Sequence, residues 1–443
     1  MRSTFLPSFR QLRFLCSSTG CFQPSTSFTG SLGLLSERDL VDQKWPGSDV
    51  AQEGLAAGIL PAESDQLRLR NLPLIFALHR LGRRGKKALL ALGTSSASLG
   101  LPQSTSSAPS LEEAQANADC LEANVSRLWA ALNDAWGDAG ELGLVRDEEW
   151  LERLDLLQFL TQQGRHIQFP QLLHQPHAQQ RLSSSGYAGE LSFASLLCPV
   201  FFAVNFEHLL HHYTANTLLA TTDQTHDLKF ALDYLKEASG KVEAAVLRPP
   251  LGGSDQDEDF HEMSLAQSPF LLYQQLVRIP DRQLRPALLC LTNHPLEEVQ
   301  ALTQPDLPPW TGQQALARSL TELVHGAAGL ASAQRCTQAL YGGGALADLT
   351  ETELFEVFHE APSVSLSCQP QPTLLQTALA AGLFKTEAQG ELVIRNGGLY
   401  VNNERRTEPN SLLGPSDALA GGLTLLRRGK RNYFLVRWLQ HSS

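Results

Sequence analysis

Long apolar segments and paired cysteines are both missing from this sequence of 443 residues. No stretch approaches the roughly 18 to 20 apolar residues that a membrane-spanning helix needs, so no membrane partner is expected. The seven cysteines are scattered without a C-x-x-C pair, which argues against a zinc site and against a disulfide framework. With 42% hydrophobic and 18% charged residues, the chain has a globular composition and room for two or three domains.

Excess positive charge is also missing, because the formal net charge is -11. A surface that binds nucleic acid everywhere is therefore excluded, but a local basic region is not. Between Ser365 and Ser443, nine basic residues outnumber five acidic ones, which favours a polyanion partner at this end. The residues expected to contact RNA are Arg395, Arg405, Arg406, Arg427, Arg428, Lys430 and Arg431. A solvated basic hairpin is the alternative interpretation.

Acidic residues are absent from positions 1–36, which are rich in serine and threonine. The segment contains Arg2, Arg10 and Arg13, and one apolar helix face would be formed by Phe5, Phe9, Leu12 and Leu15. Organelle transit peptides have this cationic, amphipathic profile. We therefore expect a mitochondrial transit peptide over residues 1–36 and a location in the mitochondrial matrix. A disordered basic tail is the alternative.

Strand and helix patterns alternate between residues 50 and 264. Buried strands are predicted at 86–93, 214–222 and 243–249. Ser110 and Glu113 form a capping box ahead of an apolar stripe at Ala114, Ala118, Leu121, Val125, Leu128 and Leu132. Strands separated by helices predict an α/β, Rossmann-like parallel sheet, with its ligand crevice at the carboxyl ends of the strands.

The rest of the chain divides into a helical part and a mixed part. A second leucine-rich helix, at 148–163 and ending before Gly164, belongs to the α/β part and is expected to be mainly core. Residues 265–362 predict an all-helical domain, with breaks at prolines and glycines. Residues 368–443 predict a small α+β module with a short helix followed by two hairpins, GELVIRNGGLYVNNERRT and RRGKRNYFLVRWL.

Three late segments carry a family resemblance. SPFLLYQQLVRIPD (268–281), LTELVHGAAGLASAQRCTQALYGG (320–343) and LTLLRRGKRNYFLVRWLQ (423–440) resemble class I tyrosyl-tRNA synthetases of the mitochondrial type. With weaker similarity upstream, the resemblance covers nearly everything after residue 50. It implies a catalytic-type domain, an anticodon-binding-type helical domain and an RNA-binding module. It further implies a homodimer, for which one face of the helices at 111–132 and 148–163 is a candidate interface. The implied partner is tRNA, either tRNA(Tyr) or another structured RNA, and the implied cofactor is ATP with Mg²⁺ if the protein is active.

The first catalytic signature of that family is altered here. GILP (58–61) stands at the family's strand position, and RLRNL (68–72) replaces its His-x-Gly-His or His-x-Gly-Asn turn. By this resemblance Arg68 takes the place of the first histidine, Arg70 that of the glycine and Asn71 that of the second histidine. An arginine side chain should occupy the space that adenine needs, which only glycine leaves open.

The second signature, a lysine-bearing loop, should precede residue 268. The segment in that place, LGGSDQDEDFHEM (251–263), has no lysine, and Asp255, Asp257, Glu258 and Asp259 crowd it. Lysines there would neutralise charge that develops on pyrophosphate. A carboxylate about 4 Å from a phosphate is instead repelled by about 4 kcal/mol at an effective dielectric constant of 20.

The amino-acid pocket is also changed by the same comparison. Asp223 and Gln224 match a family stretch, although both could equally be structural hydrogen-bonding residues. Asn205 stands where the family uses an aspartate to bind the substrate hydroxyl, and Ala56 replaces a tyrosine. Loss of such partners weakens the choice of tyrosine over phenylalanine. His208 and His212 have a spacing that can bind zinc, but no third ligand is evident and no metal site is expected.

Two main functions stay open on the sequence alone. The favoured hypothesis is a synthetase-like, tRNA-binding protein with little or no adenylation activity, because both ATP-handling signatures are altered together. The alternative is an active tyrosine–tRNA ligase of mitochondrial translation, so whether the chain is an enzyme is undecided. A dimeric scaffold without an RNA role is the third possibility.

Overall fold

The computed structural model describes residues 32–45, 54–99, 108–176, 178–179, 192–235, 242–249, 262–341, 346–358, 361–367, 371–429 and 432–439. Several predicted features lie outside the described residues: positions 1–31 of the expected transit peptide, the acidic residues Asp255, Asp257, Glu258 and Asp259, and Lys430 and Arg431. Within the described ranges, no helix has both the length and the apolar character to cross a bilayer.

A six-stranded sheet forms the first part of the molecule, in the order β1-β6-β5-β2-β3-β4. Its strands are β1 (Val41–Trp45), β2 (Leu55–Pro61), β3 (Lys87–Gly93), β4 (Leu142–Arg146), β5 (Ala215–Ala220) and β6 (Glu243–Leu247). Only the edge strand β1 runs antiparallel to its neighbour, and all other pairs are parallel. The three predicted strands are present. The sheet also includes β1, which begins before residue 50 and which its polar sequence VDQKW conceals.

Helices cover both faces of this sheet. They are α1 (Gly33–Glu37), α2 (Leu72–Gly82), α3 (Thr94–Ser98), α4 (Leu111–Trp136), α5 (Glu148–Leu151), α6 (Leu156–Gln162), α7 (Phe169–Leu173), α8 (Phe193–Leu196), α9 (Cys198–His212) and α10 (Thr225–Tyr234). Successive strand residues point to opposite faces. Leu60 and Leu90 accordingly pack in one core with α2 and α4, while Ile59 and Leu89 pack in a second core with α9 and α10. Fully burying one such side chain stabilises the fold by about 2 kcal/mol.

The two predicted helices of this domain have different outcomes. The capping box of α4 is present, since the Ser110 hydroxyl accepts from the Glu113 amide at 3.2 Å, and the predicted apolar stripe is buried. The predicted helix 148–163 is instead two short helices, α5 and α6. Asp155 interrupts it by capping α6, where its carboxylate accepts from the Gln158 amide at 2.8 Å. Leu157 on α6 is 72% exposed, so its expected place in the core was wrong.

A helical domain follows the sheet, as the sequence indicates. It consists of α11 (Pro269–Val277), α12 (Asp281–Leu291), α13 (Leu296–Leu302), α14 (Thr311–Tyr341) and α15 (Glu351–Val357). Gly326 has φ 72° and breaks α14 into two segments. Buried Arg80 of α2 donates to the carbonyls of Cys290 (3.1 Å) and Thr292 (2.8 Å). This arginine therefore provides donors for free carbonyl groups at the C-terminal end of α12 and links the two domains.

The C-terminal module is a five-stranded sheet in the order β7-β11-β10-β8-β9, with two helices on one face. Its elements are β7 (Ser363–Ser367), α16 (Leu374–Ala380), α17 (Glu387–Arg395), β8 (Leu399–Val401), β9 (Glu404–Arg406), β10 (Leu423–Arg428) and β11 (Asn432–Leu439). GELVIR was predicted as a strand and is part of α17, because Gly390 and Ile394, four residues apart, are both buried. The β10–β11 hairpin is as predicted.

Candidate functional site

The segments that follow β2 and β5 meet at the carboxyl ends of these strands, where the strand order diverges to either side, and we call the region between them the crevice. Its described wall is formed by residues 62–71, 221–224 and 262–265. These are the loop after β2, the turn after β5 and the end of the loop that carries the second signature position. A topological switch point of this kind is where open α/β sheets bind their ligands.

Two arginines of the first signature position bind one acid of the second. Arg68 and Arg70 both form ion pairs with Glu262, the Arg70 Nη1–Glu262 Oε1 distance being 2.5 Å. Arg70 also lies 3.9 Å from the Glu63 carboxylate. We call the three residues Arg68, Arg70 and Glu262 the arginine–glutamate bridge. It joins two segments that are 194 residues apart in the chain.

Backbone hydrogen bonds support the same contact. The Leu69 amide donates to the Met263 carbonyl at 2.9 Å, and the Leu265 amide donates to the Leu67 carbonyl at 2.9 Å. Arg68 and Ser264 are partners in an isolated antiparallel β-bridge. The end of the second-signature loop is thus attached to the first-signature turn by main-chain and side-chain contacts together.

The described segments of the crevice carry more acidic than basic side chains. In its three described segments, Arg68 and Arg70 face four carboxylates, Glu63, Asp65, Asp223 and Glu262, and lysine is absent. Burial raises the pKa of Glu63, an effect that Arg70 and Arg68 oppose and that Asp223 reinforces. Burial and the neighbouring Arg70 guanidinium lower the pKa of Arg68. A polyanion that enters the crevice would have to compete with these carboxylates for Arg68 and Arg70.

The remaining predicted residues near this crevice make local contacts. The Asn71 side-chain oxygen accepts from the Arg68 amide at 2.9 Å and so shapes the turn before α2. Gln224 donates to the Ile59 carbonyl at 3.0 Å and accepts from the Thr221 amide at 3.2 Å. Asp223 is exposed on the same turn. The structure therefore brings Asp223 and Gln224 to the crevice, and Gln224 has the contacts of a structural hydrogen-bonding residue.

Asn205 is fully buried on α9, away from any open surface. Its oxygen accepts from the Trp150 indole nitrogen at 2.8 Å, and its nitrogen donates to the Asp147 carboxylate at 3.2 Å. Asp147 also accepts from the amides of Ser95 (2.8 Å) and Ser96 (3.1 Å), which start α3. Burial raises the pKa of Asp147, and these hydrogen bonds oppose the shift. Sequence reasoning missed Asp147, although its position directly after β4 marks it as a residue of the crevice edge.

The histidines of α9 form an aromatic stack. The His208 ring lies 4.2 Å from the Trp150 ring and 4.2 Å from the His212 ring, measured between centroids. Burial lowers the pKa of His208 to about 4, so the ring is neutral at physiological pH. In the part of the chain that the structure describes, no group of three or more His, Cys, Asp or Glu residues could hold a metal ion.

The predicted RNA-binding arginines are divided between the two faces of the C-terminal sheet. Arg405 and Arg427 lie on the face opposite α16 and α17, and Arg406 and Arg428 lie on the helix-covered face, as the strand register requires. Arg406 lies 3.4 Å from both Glu404 and Asp417. Arg428 donates to the Leu383 carbonyl at 2.9 Å, and Arg395 pairs with Glu391.

Exposed apolar side chains are concentrated on the short helices α6, α7 and α8. They are Leu156, Leu157, Leu160, Phe169 and Phe193, of which Leu157 (72%) and Phe193 (69%) are the most exposed. Large apolar side chains exposed in such number are typical of a contact surface.

Comparison with known proteins is consistent with these features. A family model described as tRNA synthetases class I (W and Y) matches residues 71–342, and a tyrosine–tRNA ligase SYY-like C-terminal domain matches residues 353–436. The chain is 29% identical over 415 residues to the mitochondrial tyrosine–tRNA ligase of Drosophila melanogaster, covering 87% of this chain and 88% of the relative. It is 30% identical over 397 residues to that of Homo sapiens, covering 85% and 82%.

Solved structures show the same fold. The truncated mitochondrial tyrosyl-tRNA synthetase of Coccidioides posadasii has a TM-score of 0.58 at 21% identity, covering 70% of this chain and 91% of that chain. That of Aspergillus nidulans has a TM-score of 0.59 at 19% identity, covering 71% and 94%. The predicted α/β fold with a helical domain and a C-terminal module is confirmed.

Proposed function

Because the chain belongs to the class I tRNA synthetases of the tyrosine and tryptophan type, we propose that it is a tyrosyl-tRNA synthetase-like, tRNA-binding protein with little or no adenylation activity. The observation that carries this proposal is the arginine–glutamate bridge. It places charged side chains of this chain at the position where the family resemblance expects nucleotide.

The bridge opposes nucleotide binding in two ways. Arg70, at the place of the family glycine, has a side chain that needs the space of an adenine ring, and its contact with Glu262 keeps it in the crevice. Glu262 contributes a negative charge where lysines would neutralise phosphate. These contacts support a crevice whose residues do not fit an ATP triphosphate.

The amino-acid pocket supports the same proposal. Asn205 uses its oxygen for Trp150 and its nitrogen for Asp147, so both polar atoms already have partners inside the protein. A substrate hydroxyl would have to displace one of these buried contacts, and leaving a buried polar group unpaired costs about 1–3 kcal/mol. We therefore propose that Asn205 does not distinguish tyrosine from phenylalanine.

RNA binding is assigned to the C-terminal module, with tRNA(Tyr) or another structured RNA as the ligand. The basic composition of this module on an acidic chain supports the assignment, as does its match to the tyrosine–tRNA ligase C-terminal domain. A titration of full-length protein with tRNA at several salt concentrations tests it. Affinity should fall linearly on a log–log plot of salt concentration, and absence of binding at low salt would contradict the assignment.

We further propose that the protein is imported into the mitochondrial matrix and works as a homodimer. The relatives named above are mitochondrial, and the acid-free basic N-terminus fits import. The proposed transit peptide covers residues 1–36, and Leu32 and Leu35 at its end are fully buried in the core. The exposed apolar side chains of α6, α7 and α8 supply a surface for a second copy.

The alternative is an active tyrosine–tRNA ligase that joins tyrosine to tRNA(Tyr) with ATP and Mg²⁺. The names of the relatives and the position of Asp223 in the crevice favour it. Tyrosine-dependent exchange of pyrophosphate into ATP separates the two, with the Homo sapiens relative as positive control. Exchange at the rate of that relative would overturn the proposal, and exchange at the level of a protein-free blank is the expected result.

A further inference from the structure

Four side chains from four adjacent strands form one row across the C-terminal sheet. Arg405 of β9 is the register partner of Tyr400 of β8, Tyr400 is the partner of Arg427 of β10, and Arg427 is the partner of Tyr433 of β11. Directly opposite residues of antiparallel strands share a face of the sheet and lie about 5 Å apart. Cationic and aromatic side chains therefore alternate along what we call the arginine–tyrosine row.

We propose that the arginine–tyrosine row is a binding site for unpaired RNA nucleotides, in which bases stack on the side-chain planes and phosphates contact the guanidinium groups. The proposal rests on the proposed RNA-binding function and assigns it to one face of the module. It adds Tyr400 to the residues expected to contact RNA, which were chosen by charge alone. It also excludes Arg406 and Arg428 from this site, because they lie on the other face of the sheet.

The geometry of the row already shows stacking within the protein. The Arg427 guanidinium carbon lies 4.0 Å from the centroid of the Tyr400 ring. Its Nη1 donates to the Gly429 carbonyl at 2.8 Å, which fixes the guanidinium over the ring. A planar cation on a planar ring is the kind of platform on which a nucleobase stacks.

No carboxylate among the described residues neutralises the two arginines of the row. In the described part of the chain, Arg405 and Arg427 have no carboxylate within ion-pair distance. Arg405 instead donates to the carbonyls of Gly397 (3.0 Å) and Asn396 (2.8 Å). By contrast, Arg395 and Arg406 pair with acids. Arg405 and Arg427 are thus two cations that no described acid neutralises, and both lie in the row, where they can release counterions on binding phosphate.

The row ends at the contact with the helical domain. The Tyr433 ring lies 5.2 Å from the ring of Phe358, just after α15. The next pair on the same face, Leu425 and Leu435, is buried against that domain. Tyr433 therefore ends the row at the helical domain, and Arg427, Tyr400 and Arg405 continue from it across the sheet to the edge strand β9. A base-paired helix offers no free base faces, so the site fits unpaired nucleotides of a loop, bulge or end.

The test compares full-length variants for binding to a labelled single-stranded 12-mer RNA and to the blunt duplex of the same sequence. Tyr400→Ala should weaken single-strand binding about tenfold, the usual effect of losing one stacked base, and Tyr400→Phe should retain it. Arg427→Gln should weaken it and lower the salt slope by about 0.7, one phosphate contact. Lys385→Gln removes the same charge from the helix-covered side and should bind as the wild type does.

The outcomes separate this site from the proposed function. If the wild type binds the single strand and Tyr400→Ala, Arg427→Gln and Arg405→Gln all bind equally well, the row is not the site, although RNA binding stands. If the wild type binds neither RNA nor tRNA, the proposed function fails and this inference fails with it. Equal weakening by Arg427→Gln and Lys385→Gln would also overturn the row, because it would show a general charge effect.

Discussion

Replacing Glu262 by glutamine removes one negative charge from between Arg68 and Arg70 and keeps the size of the side chain. The Arg68 and Arg70 side chains are 30% and 29% exposed and that of Glu262 is 43% exposed, so solvent screens the bridge substantially. Two unit charges 4 Å apart interact by about 4 kcal/mol at an effective dielectric constant of 20, whereas measured exposed ion pairs give at most about 1 kcal/mol. We expect the interaction energy of Glu262 with the two arginines to lie between these limits.

The freed guanidinium groups should then bind a polyphosphate more tightly. We expect the affinity for inorganic pyrophosphate to rise about tenfold, which corresponds to about 1.4 kcal/mol. Isothermal titration calorimetry of wild type and Glu262→Gln at low salt measures it directly. Adenylation should not return, because Arg70 still occupies the place of the family glycine.

Glu391→Gln is the matched control for this measurement. It removes the same charge from another exposed ion pair, that of Glu391 with Arg395 on α17, far along the chain from the crevice. Pyrophosphate affinity should not change in this variant. An unchanged affinity in Glu262→Gln would refute the reasoning, since the carboxylate would then not compete with phosphate for the two arginines. An equal rise in both variants would refute it as well.

Three further predictions concern stability and assembly. Asn205→Asp places a second carboxylate at the position now 3.2 Å from Asp147. The free energy of unfolding in urea should fall by about 3 kcal/mol at pH 7 and by less at pH 5, where one carboxylate is more readily protonated. Equal decreases at the two pH values would contradict this. Burial raises the pKa of Asp227 to about 7, so the folded state holds a proton that the unfolded state releases above about pH 4. Stability should therefore fall between about pH 4 and 7, and Asp227→Asn should flatten this slope in urea titrations; an unchanged slope would exclude Asp227 as its source. Leu157→Asp should shift a dimer to monomer in light scattering behind size exclusion, while Leu392→Asp, at a similarly exposed leucine, should not; a dimer that persists in Leu157→Asp would remove α6 from the interface.

Local sequence patterns predicted the elements that their own residues determine. The strands at 86–93, 214–222 and 243–249 each contain an apolar run, ALLAL, LLA and AAVL, and the capping box of Ser110 marks the start of α4, so each was visible in the sequence. The strand β1 was not, because its residues are mostly polar and its place is set by pairing with β6. The segment GELVIR was predicted as a strand, but it is part of a helix. The helix is stabilised by burial of Gly390 and Ile394 against the rest of the module, and the sequence alone does not show this packing.

The candidate site was predictable only where the resemblance supplied positions. Arg68, Arg70 and Asn71 came from that comparison, but Glu262 did not, because its contact with the arginines depends on a fold that joins segments 194 residues apart. The partners of Asn205 were hidden for the same reason: Trp150 and Asp147 lie on other elements. For the RNA-binding module, composition identified the arginines, and only the strand register divided them between two faces.

The strand β7 has a consequence for how the module can move. It precedes α16 in the chain, yet it lies in the parallel position beside β11, the last strand described, so the chain enters the sheet, leaves it and returns. The same sheet is buried against the helical domain through Leu425 and Leu435, so the two cannot separate without exposing apolar side chains to water. RNA bound to the module as proposed would therefore be held in one orientation relative to the helical domain.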